Sequence, residues 1–154
     1  MSAQTSYPNP PSAIVSPHFL APYPVDLTIV LTVHNRWVVY RGDSSDSKDI
    51  IFSAKQSSLI QFKTSLDVFL GSNEKESVCD YKVKGSWFDR SCTIYAGEST
   101  NIVAQMHKKH TVQSIALGKD TFAVTVYPNV DYAFIVALVV IWPDPGYGRC
   151  IRGR

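Results

Sequence analysis

An apolar run near the carboxyl end, Tyr132–Trp142, places the strongest constraint on how this 154-residue chain can fold. The run contains no charged side chain and no amide side chain. As a helix it would rise about 16 Å, roughly half of the ~30 Å hydrocarbon core of a bilayer. A membrane span is therefore not expected, and the run has to be buried by other parts of a protein.

The boundaries of this run favour a helix over a strand. Its Val and Ile content suits a strand, but it lacks the polar alternation of a half-buried strand. Asn129 or Asp131 can cap a first helical turn, and Pro143 ends the helix. We therefore predict a central helix over about residues 130–142, enclosed by the rest of the domain.

Upstream of the helix, the apolar residues follow a period close to two. In one segment Cys79, Tyr81 and Val83 alternate with Lys82 and Lys84. Segments of this kind, bounded by Gly, Ser, Asn and Asp clusters, predict antiparallel strands at 36–42, 49–55, 57–63, 66–71, 78–85, 91–97, 101–109, 111–118 and 121–128. Because such strands can wrap an apolar helix, the pattern predicts a mainly β (α+β) fold, an antiparallel β-barrel around the helix.

The ends of the chain differ from the middle. Six of the nine prolines lie within residues 1–24, which favours an extended segment and leaves an SH3-type ligand open as an alternative. We predict a disordered proline-rich tail over 1–20, a single domain over 21–142 and a disordered basic tail over 143–154.

Composition and motifs argue against several classes of function. The net charge of +2 is too small to indicate a nucleic-acid partner. Nucleotide-binding, hydrolase and EF-hand motifs are not found, so we expect neither an enzyme nor a cofactor. Without a secretory signal pattern we expect a cytoplasmic location, with the plasma-membrane surface and the nucleus as open alternatives.

The cysteine and histidine residues could form a metal site or could be ordinary packed or solvated side chains, and the metal site is the weaker interpretation. Cys79, Cys92 and Cys150 are odd in number and fit no zinc or redox spacing. On a strand, His107 and His110 would point to opposite faces because they are three residues apart. We therefore expect packed or solvated side chains and no metal.

Long blocks of the sequence resemble a known family. They are "APYPVDLTIV" (21–30), "RWVVYRGDSSDSKDIIFSAKQSS" (36–58), "KTSLDVFLGSN" (63–73), "CDYKVKGSWFDRSCTIYAGES" (79–99) and the stretch 102–141. These blocks resemble the LURP-one-related proteins of plants, a branch of the tubby C-terminal superfamily that includes the phospholipid scramblases. The resemblance implies a barrel around a central hydrophobic helix, a non-enzymatic role and a link to plant defence.

The chain departs from that family at two places. About fifty residues that follow the first block in the family are missing after Val30, so the chain looks like a shortened form with an incomplete barrel. The tail "WPDPGYGRCIRGR" also replaces the acidic residues that usually follow the helix. Loss of strands from a barrel is expected to expose helix surface and to leave sheet edges unpaired.

Four lysines are candidates for binding acidic phospholipid head groups: Lys82, Lys84, Lys108 and Lys109. Clustered lysines suit phosphate recognition, and the tubby resemblance implies a phosphoinositide ligand at a peripheral membrane site. Solvated lysines that protect a sheet edge are the simpler alternative. A protein-interaction module without a lipid ligand and a membrane-tethered transcription regulator also remain open.

Overall fold

The computed structural model describes residues 27–32, 36–60, 63–86, 89–109 and 121–142. These residues form one antiparallel sheet, a short 3-10 turn (Ser47–Asp49) and one helix. The elements are β1 (Leu27–Leu31), β2 (Arg36–Arg41), β3 (Ile50–Ile60), β4 (Lys63–Leu70), β5 (Tyr81–Ser86), β6 (Ser91–Ala96), β7 (Ile102–Lys109), β8 (Thr121–Val126) and α1 (Tyr132–Ile141). Among the residues that the structure describes, the predicted mainly β class with one helix near the carboxyl end is confirmed.

The sheet is a meander in which each strand pairs with the next one along the chain, from β1 to β8. The predicted strands 49–55 and 57–63 were wrong as separate elements. A register shift between Gln56 and Ser58 lets β3 continue through this polar stretch instead of turning. Strand β1 was not predicted, and the predicted strand 111–118 lies outside the described residues.

One face of the sheet forms the core. Consecutive strands each contribute a side chain that is at most 1% exposed: Val39, Phe52, Val68, Val83, Ile94 and Ala104. Burial of a large apolar side chain stabilises the fold by about 1.5–3 kcal/mol. The apolar residues of the period-two pattern therefore form the buried face of the sheet, as the sequence predicted.

Asp131, one of the two predicted capping residues, caps the amino-terminal end of helix α1. The Asp131 side chain accepts hydrogen bonds from the backbone N–H groups of Ala133 (3.0 Å) and Phe134 (3.2 Å). At the other end, the backbone N–H of Trp142 donates to the Leu138 carbonyl oxygen at 2.9 Å. These bonds fix the helix at 132–141, within the predicted range of about 130–142.

The helix packs its buried side chains against the core face of the sheet. Phe134 is fully buried, and its ring centroid lies 5.0 Å from that of Phe52 in an edge-on arrangement and 4.9 Å from that of Tyr81. Ile135, Ala137, Leu138 and Ile141 complete the buried side of the helix. The helix is thus anchored to β3 and β5 by aromatic contacts.

The sheet covers only part of the helix. Val136 and Val140 are 55% and 66% exposed, although the helix carries no polar face. Among the described strands, β1 and β8 stand at the two ends of the order and do not pair with each other. Incomplete enclosure of the helix agrees with the prediction made for a shortened form.

No helix in the described ranges is both long enough and apolar enough to cross a bilayer. The predicted tails, 1–20 and 143–154, lie outside the described residues. The domain boundaries at 21 and 142 therefore stay predictions.

Candidate functional site on the outer face of the sheet

Strand β5 directs two of the candidate lysines away from the core. Val83 between them is fully buried, so Lys82 and Lys84 belong to the opposite, outer face. The register places Lys82 between Asp67 of β4 and Tyr95 of β6. The prediction that Lys82 and Lys84 lie on the same face of the strand is therefore confirmed.

Lys82 is engaged by two carboxylates. Its Nζ lies 2.9 Å from a Glu98 oxygen and 3.5 Å from an Asp67 oxygen, and its side chain is only 19% exposed. The hydrogen bond to Glu98 is the main cause that raises the pKa of Lys82 and that lowers the pKa of Glu98. Two negative groups therefore compensate this one ammonium, which reduces its attraction for an external anion.

Lys84 is in a different situation on the same face. Its side chain is exposed, and its Nζ lies 5.5 Å from the centroid of the Tyr95 ring. Within the described ranges, none of the ion pairs includes Lys84. The positive charge of Lys84 is therefore presented to solvent over an aromatic ring.

A shallow depression of about 250 Å³ lies next to Lys84 and is open to solvent. Cross-strand pairing places Lys84 beside Thr93, and Thr93 beside Gln105. The lining consists of Lys84, Gly85, Ser91, Cys92, Thr93, Gln105, Met106 and His107. It contains an ammonium, an amide, two hydroxyls and an imidazole but no carboxylate, which is a set of groups suited to an anionic oxygen.

Lys108 and Lys109 do not join this site as a pair. Lys108 follows His107 in β7, so it belongs to the face of the buried Met106, and it is half-buried. Lys109 is the last residue of β7, and its side chain lies outside what the structure describes. The structure therefore brings Lys82 and Lys84 to one face and separates Lys108 from them.

The two cysteines that the structure describes, Cys79 and Cys92, are not set up for metal binding or nucleophilic chemistry. Cys79 and Cys92 are buried free thiols, and desolvation raises the pKa of Cys92 to about 12. A neutral thiol is neither a good nucleophile nor a good metal ligand. Among the described residues, which do not include His110, no group of side chains could hold a metal ion.

A charged cluster that the sequence did not reveal connects β2 and β3 to the loop between β4 and β5. Arg36 donates to both carboxylate oxygens of Glu76 and to the Ser53 hydroxyl at 2.7 Å. Lys55 Nζ lies 3.9 Å from the same carboxylate. The hydrogen bond from Arg36 is the main cause that lowers the pKa of Glu76. Because Arg36 and Glu76 are 40 residues apart, no local sequence pattern points to this pair.

We expect Glu76→Gln to lower the free energy of unfolding at pH 7 by about 1–2 kcal/mol, because a charged hydrogen-bond acceptor is lost. The pKa of Glu76 is lower in the folded state, so its contribution is present above pH 4.5 and is lost as the pH falls through the folded-state pKa. The variant should therefore lose less stability than the parent on acidification. Urea unfolding at several pH values measures both effects, and Glu74→Gln in the same loop, where the side chain is exposed, is the control. Equal losses of stability for Glu76→Gln and Glu74→Gln at pH 7 would contradict a stabilising role for the hydrogen bonds between Arg36 and Glu76.

The fold and this site together define a mainly β domain, an antiparallel meander that holds one apolar helix and presents an outer lysine-containing depression. The chain belongs to the LURP-one-related family, whose profile matches residues 24–143.

Three relatives show how far the similarity extends. Over 115 residues the chain is 63% identical to protein LURP-one-related 15 of Arabidopsis thaliana, covering 75% of this chain and 53% of that protein. It is 44% identical to protein LURP-one-related 10 of the same plant over 185 positions, covering 86% of this chain and 95% of that protein. An X-ray structure of a protein from Arabidopsis thaliana superposes with a TM-score of 0.58 at 40% identity, covering 84% of this chain and 95% of that one. The chain thus spans about half the length of LURP-one-related 15.

The alignment with LURP-one-related 10 also bears on the missing segment. Since 86% of 154 residues is about 132, about 50 of the 185 aligned positions have no counterpart in this chain. That number agrees with the about fifty residues expected to be missing after Val30. The position of the gap, directly after Val30, stays a prediction.

Proposed function

We propose that this chain is a non-enzymatic domain that binds acidic phospholipids, phosphoinositides in particular, at the surface of a membrane. The supporting observation is the exposed Lys84 beside a depression whose lining has hydrogen-bond donors and no carboxylate. A phosphate group placed there would meet one positive charge and no carboxylate in the lining. We further propose that the protein is cytoplasmic and attaches peripherally to the membrane surface. A role in plant defence is also proposed, and it rests on the family resemblance alone.

The proposal ranks the four candidate lysines. Lys84 is the main contact, because its charge is exposed. Lys82 contributes less, since Asp67 and Glu98 already compensate its charge. Lys108 belongs to the other face of the sheet, and Lys109 remains a candidate by its position in β7.

Vesicle flotation tests the proposal. We expect the full chain to float with phosphatidylcholine vesicles that contain a phosphoinositide and to remain unbound with phosphatidylcholine alone. Lys84→Glu should weaken binding by about 30-fold, because reversing one charge near an anionic surface removes about 2 kcal/mol. Lys75→Glu makes the same change of charge on the exposed loop between β4 and β5 and should have a much smaller effect.

Two results would contradict this function. Equal flotation with and without the phosphoinositide would remove the lipid claim. Equal losses for Lys84→Glu and Lys75→Glu would show a general charge effect with no role for the depression. Competition by free inositol phosphates separates recognition of the head group from attraction to a membrane surface.

A further inference from the structure

A further lysine, Lys63, lies beside Lys84 on the outer face of the sheet. Thr64, which follows it in β4, is buried, so Lys63 and Ser65 face away from the core. The register pairs Ser65 with Lys84 and Lys63 with Ser86. Lys63 is therefore a diagonal neighbour of Lys84, and such neighbours are ~7–8 Å apart in an antiparallel pair.

Four side chains, which we call the Lys63–Lys84 rectangle, form a compact set of hydrogen-bond donors. They are Lys63 and Ser65 of β4 and Lys84 and Ser86 of β5. The two lysines occupy one diagonal of the rectangle and the two serines the other. The Ser86 hydroxyl oxygen accepts a hydrogen bond from the backbone N–H of Asp89 at 3.2 Å, so the hydroxyl hydrogen is available for donation.

The charges of the two lysines in the rectangle are not compensated as that of Lys82 is. Lys63 and Lys84 are both exposed, and in the part of the chain that the structure describes no ion pair includes either of them. Asp67 is the other diagonal neighbour of Lys84 across β4 and β5. Its carboxylate lies 3.5 Å from Lys82 Nζ and accepts a hydrogen bond from Ser57 at 3.0 Å. Asp67 is therefore already engaged.

The connections next to the rectangle add no net charge. Residues 61–62 join β3 to β4 and residues 87–88 follow β5, and neither pair of residues carries a charge. Asp89 and Arg90, which complete the connection to β6, carry charges of opposite sign. The two ammonium groups thus give this end of β4 and β5 a local positive charge.

The donors of the rectangle match a phosphate monoester. Such a group carries about −1.5 to −2 charge at pH 7 and has three terminal oxygen atoms that accept hydrogen bonds. Two ammonium groups can compensate that charge, and the hydroxyl groups can donate to the remaining lone pairs. A phosphodiester, with roughly −1 charge, would leave one ammonium group without compensation.

We infer that the Lys63–Lys84 rectangle binds a phosphate monoester and that Lys63 is a further binding residue of the site. This inference rests on the proposed function, because it names the group of the lipid that the outer face recognises. Lys84 borders both the rectangle and the depression. A phosphate held by the rectangle leaves the Thr93 hydroxyl and the Gln105 amide for the hydroxyl groups of an inositol ring.

Vesicles of equal surface charge test the ligand class. One set contains phosphatidylcholine with a phosphatidylinositol monophosphate, and the other contains phosphatidylcholine with enough phosphatidylserine to give the same surface charge. We expect the full chain to bind the first set about tenfold more tightly, because only that lipid carries a monoester. Equal binding to both sets would overturn the inference, since surface charge alone would then explain the attraction.

Matched variants test the role of Lys63. Lys63→Glu should weaken binding to the monophosphate vesicles by about 30-fold, as expected for Lys84→Glu, whereas Lys63→Arg should bind like the parent. Lys75→Glu, on the exposed loop between β4 and β5, is the control. Thermal unfolding checks that each variant remains folded, which the exposed positions favour.

A double-mutant cycle tests whether the two lysines hold the same phosphate group. If they do, the loss for Lys63→Ala together with Lys84→Ala should be smaller than the product of the two single losses, because the first change already displaces the phosphate. Single losses that multiply would overturn the shared contact, since they indicate two independent charges.

The remaining outcomes separate this inference from the proposed function. A loss for Lys84→Glu with no greater effect of Lys63→Glu than of Lys75→Glu would overturn the inference and leave lipid binding standing. Calorimetric titration of the full chain with inositol monophosphate tests a soluble source of the same group. Binding in that titration without vesicle flotation would support the rectangle and overturn the lipid function. Absence of binding to both probes would overturn both.

Discussion

Phe134→Ala is expected to lower the free energy of unfolding by about 3–5 kcal/mol, the range for truncation of a buried aromatic residue. Phe134 is fully buried and contacts the rings of Phe52 and Tyr81. It thus connects the helix to two strands, and its loss leaves a cavity between them. Because a domain is stable by only about 5–15 kcal/mol, this one change removes a large share of the stability.

Urea unfolding of the parent and of Phe134→Ala measures this loss, and Val136→Ala is the matched control. Val136 lies two residues further along the same helix and is 55% exposed, so its truncation creates no cavity. We expect the control to stay within about 0.5 kcal/mol of the parent. Similar losses for both variants would mean that the two sides of the helix are equally buried, contrary to the structure.

Gly85→Ala is expected to have the second-largest effect, a loss of about 3 kcal/mol at the upper end of the range for overpacking. Gly85 pairs with Cys92 across β5 and β6. A Cβ atom there would overlap the Ser91 carbonyl oxygen and lie 2.7 Å from Cys92 Cα. These are backbone atoms, so the strands have to separate. Since Gly85 also lines the depression beside Lys84, binding to phosphoinositide vesicles should weaken as well.

Gly42→Ala provides the comparison for this prediction. Gly42 has a φ of +61°, and no atom lies within 4 Å of a Cβ placed there. Its substitution therefore adds only left-handed backbone strain, about 1 kcal/mol. Thermal or urea unfolding should show that Gly85→Ala is much less stable than Gly42→Ala. In the vesicle-binding assay, Gly42→Ala should bind like the parent. The reverse order would contradict the close approach of β5 and β6.

The sequence predicted features that depend on local pattern. The apolar run and the Asp131 cap were sufficient for the helix, because capping and hydrophobic burial act within a few residues. The alternation around Val83 was sufficient to place Lys82 and Lys84 on one face. Strand β3 was divided wrongly because a register shift in the ladder has no clear signature in a single sequence.

The properties of the candidate site depend on partners that are distant in the chain. Asp67 and Glu98 distinguish Lys82 from Lys84, but they lie in β4 and in the turn after β6. Their proximity to Lys82 follows only once the strand order and register are known. The same holds for the depression, which three neighbouring strands form together.

The order of the strands has a consequence for synthesis of the chain. Each hairpin of the meander joins neighbouring segments, so its loop-closure entropy is small and it can form soon after its two strands leave the ribosome. Helix α1 follows β8 in the chain, so Phe52, Val83 and Ile94 stay without their helical cover until residue 141 has left the ribosome. During that interval the nascent sheet is a substrate for chaperones that recognise apolar surface.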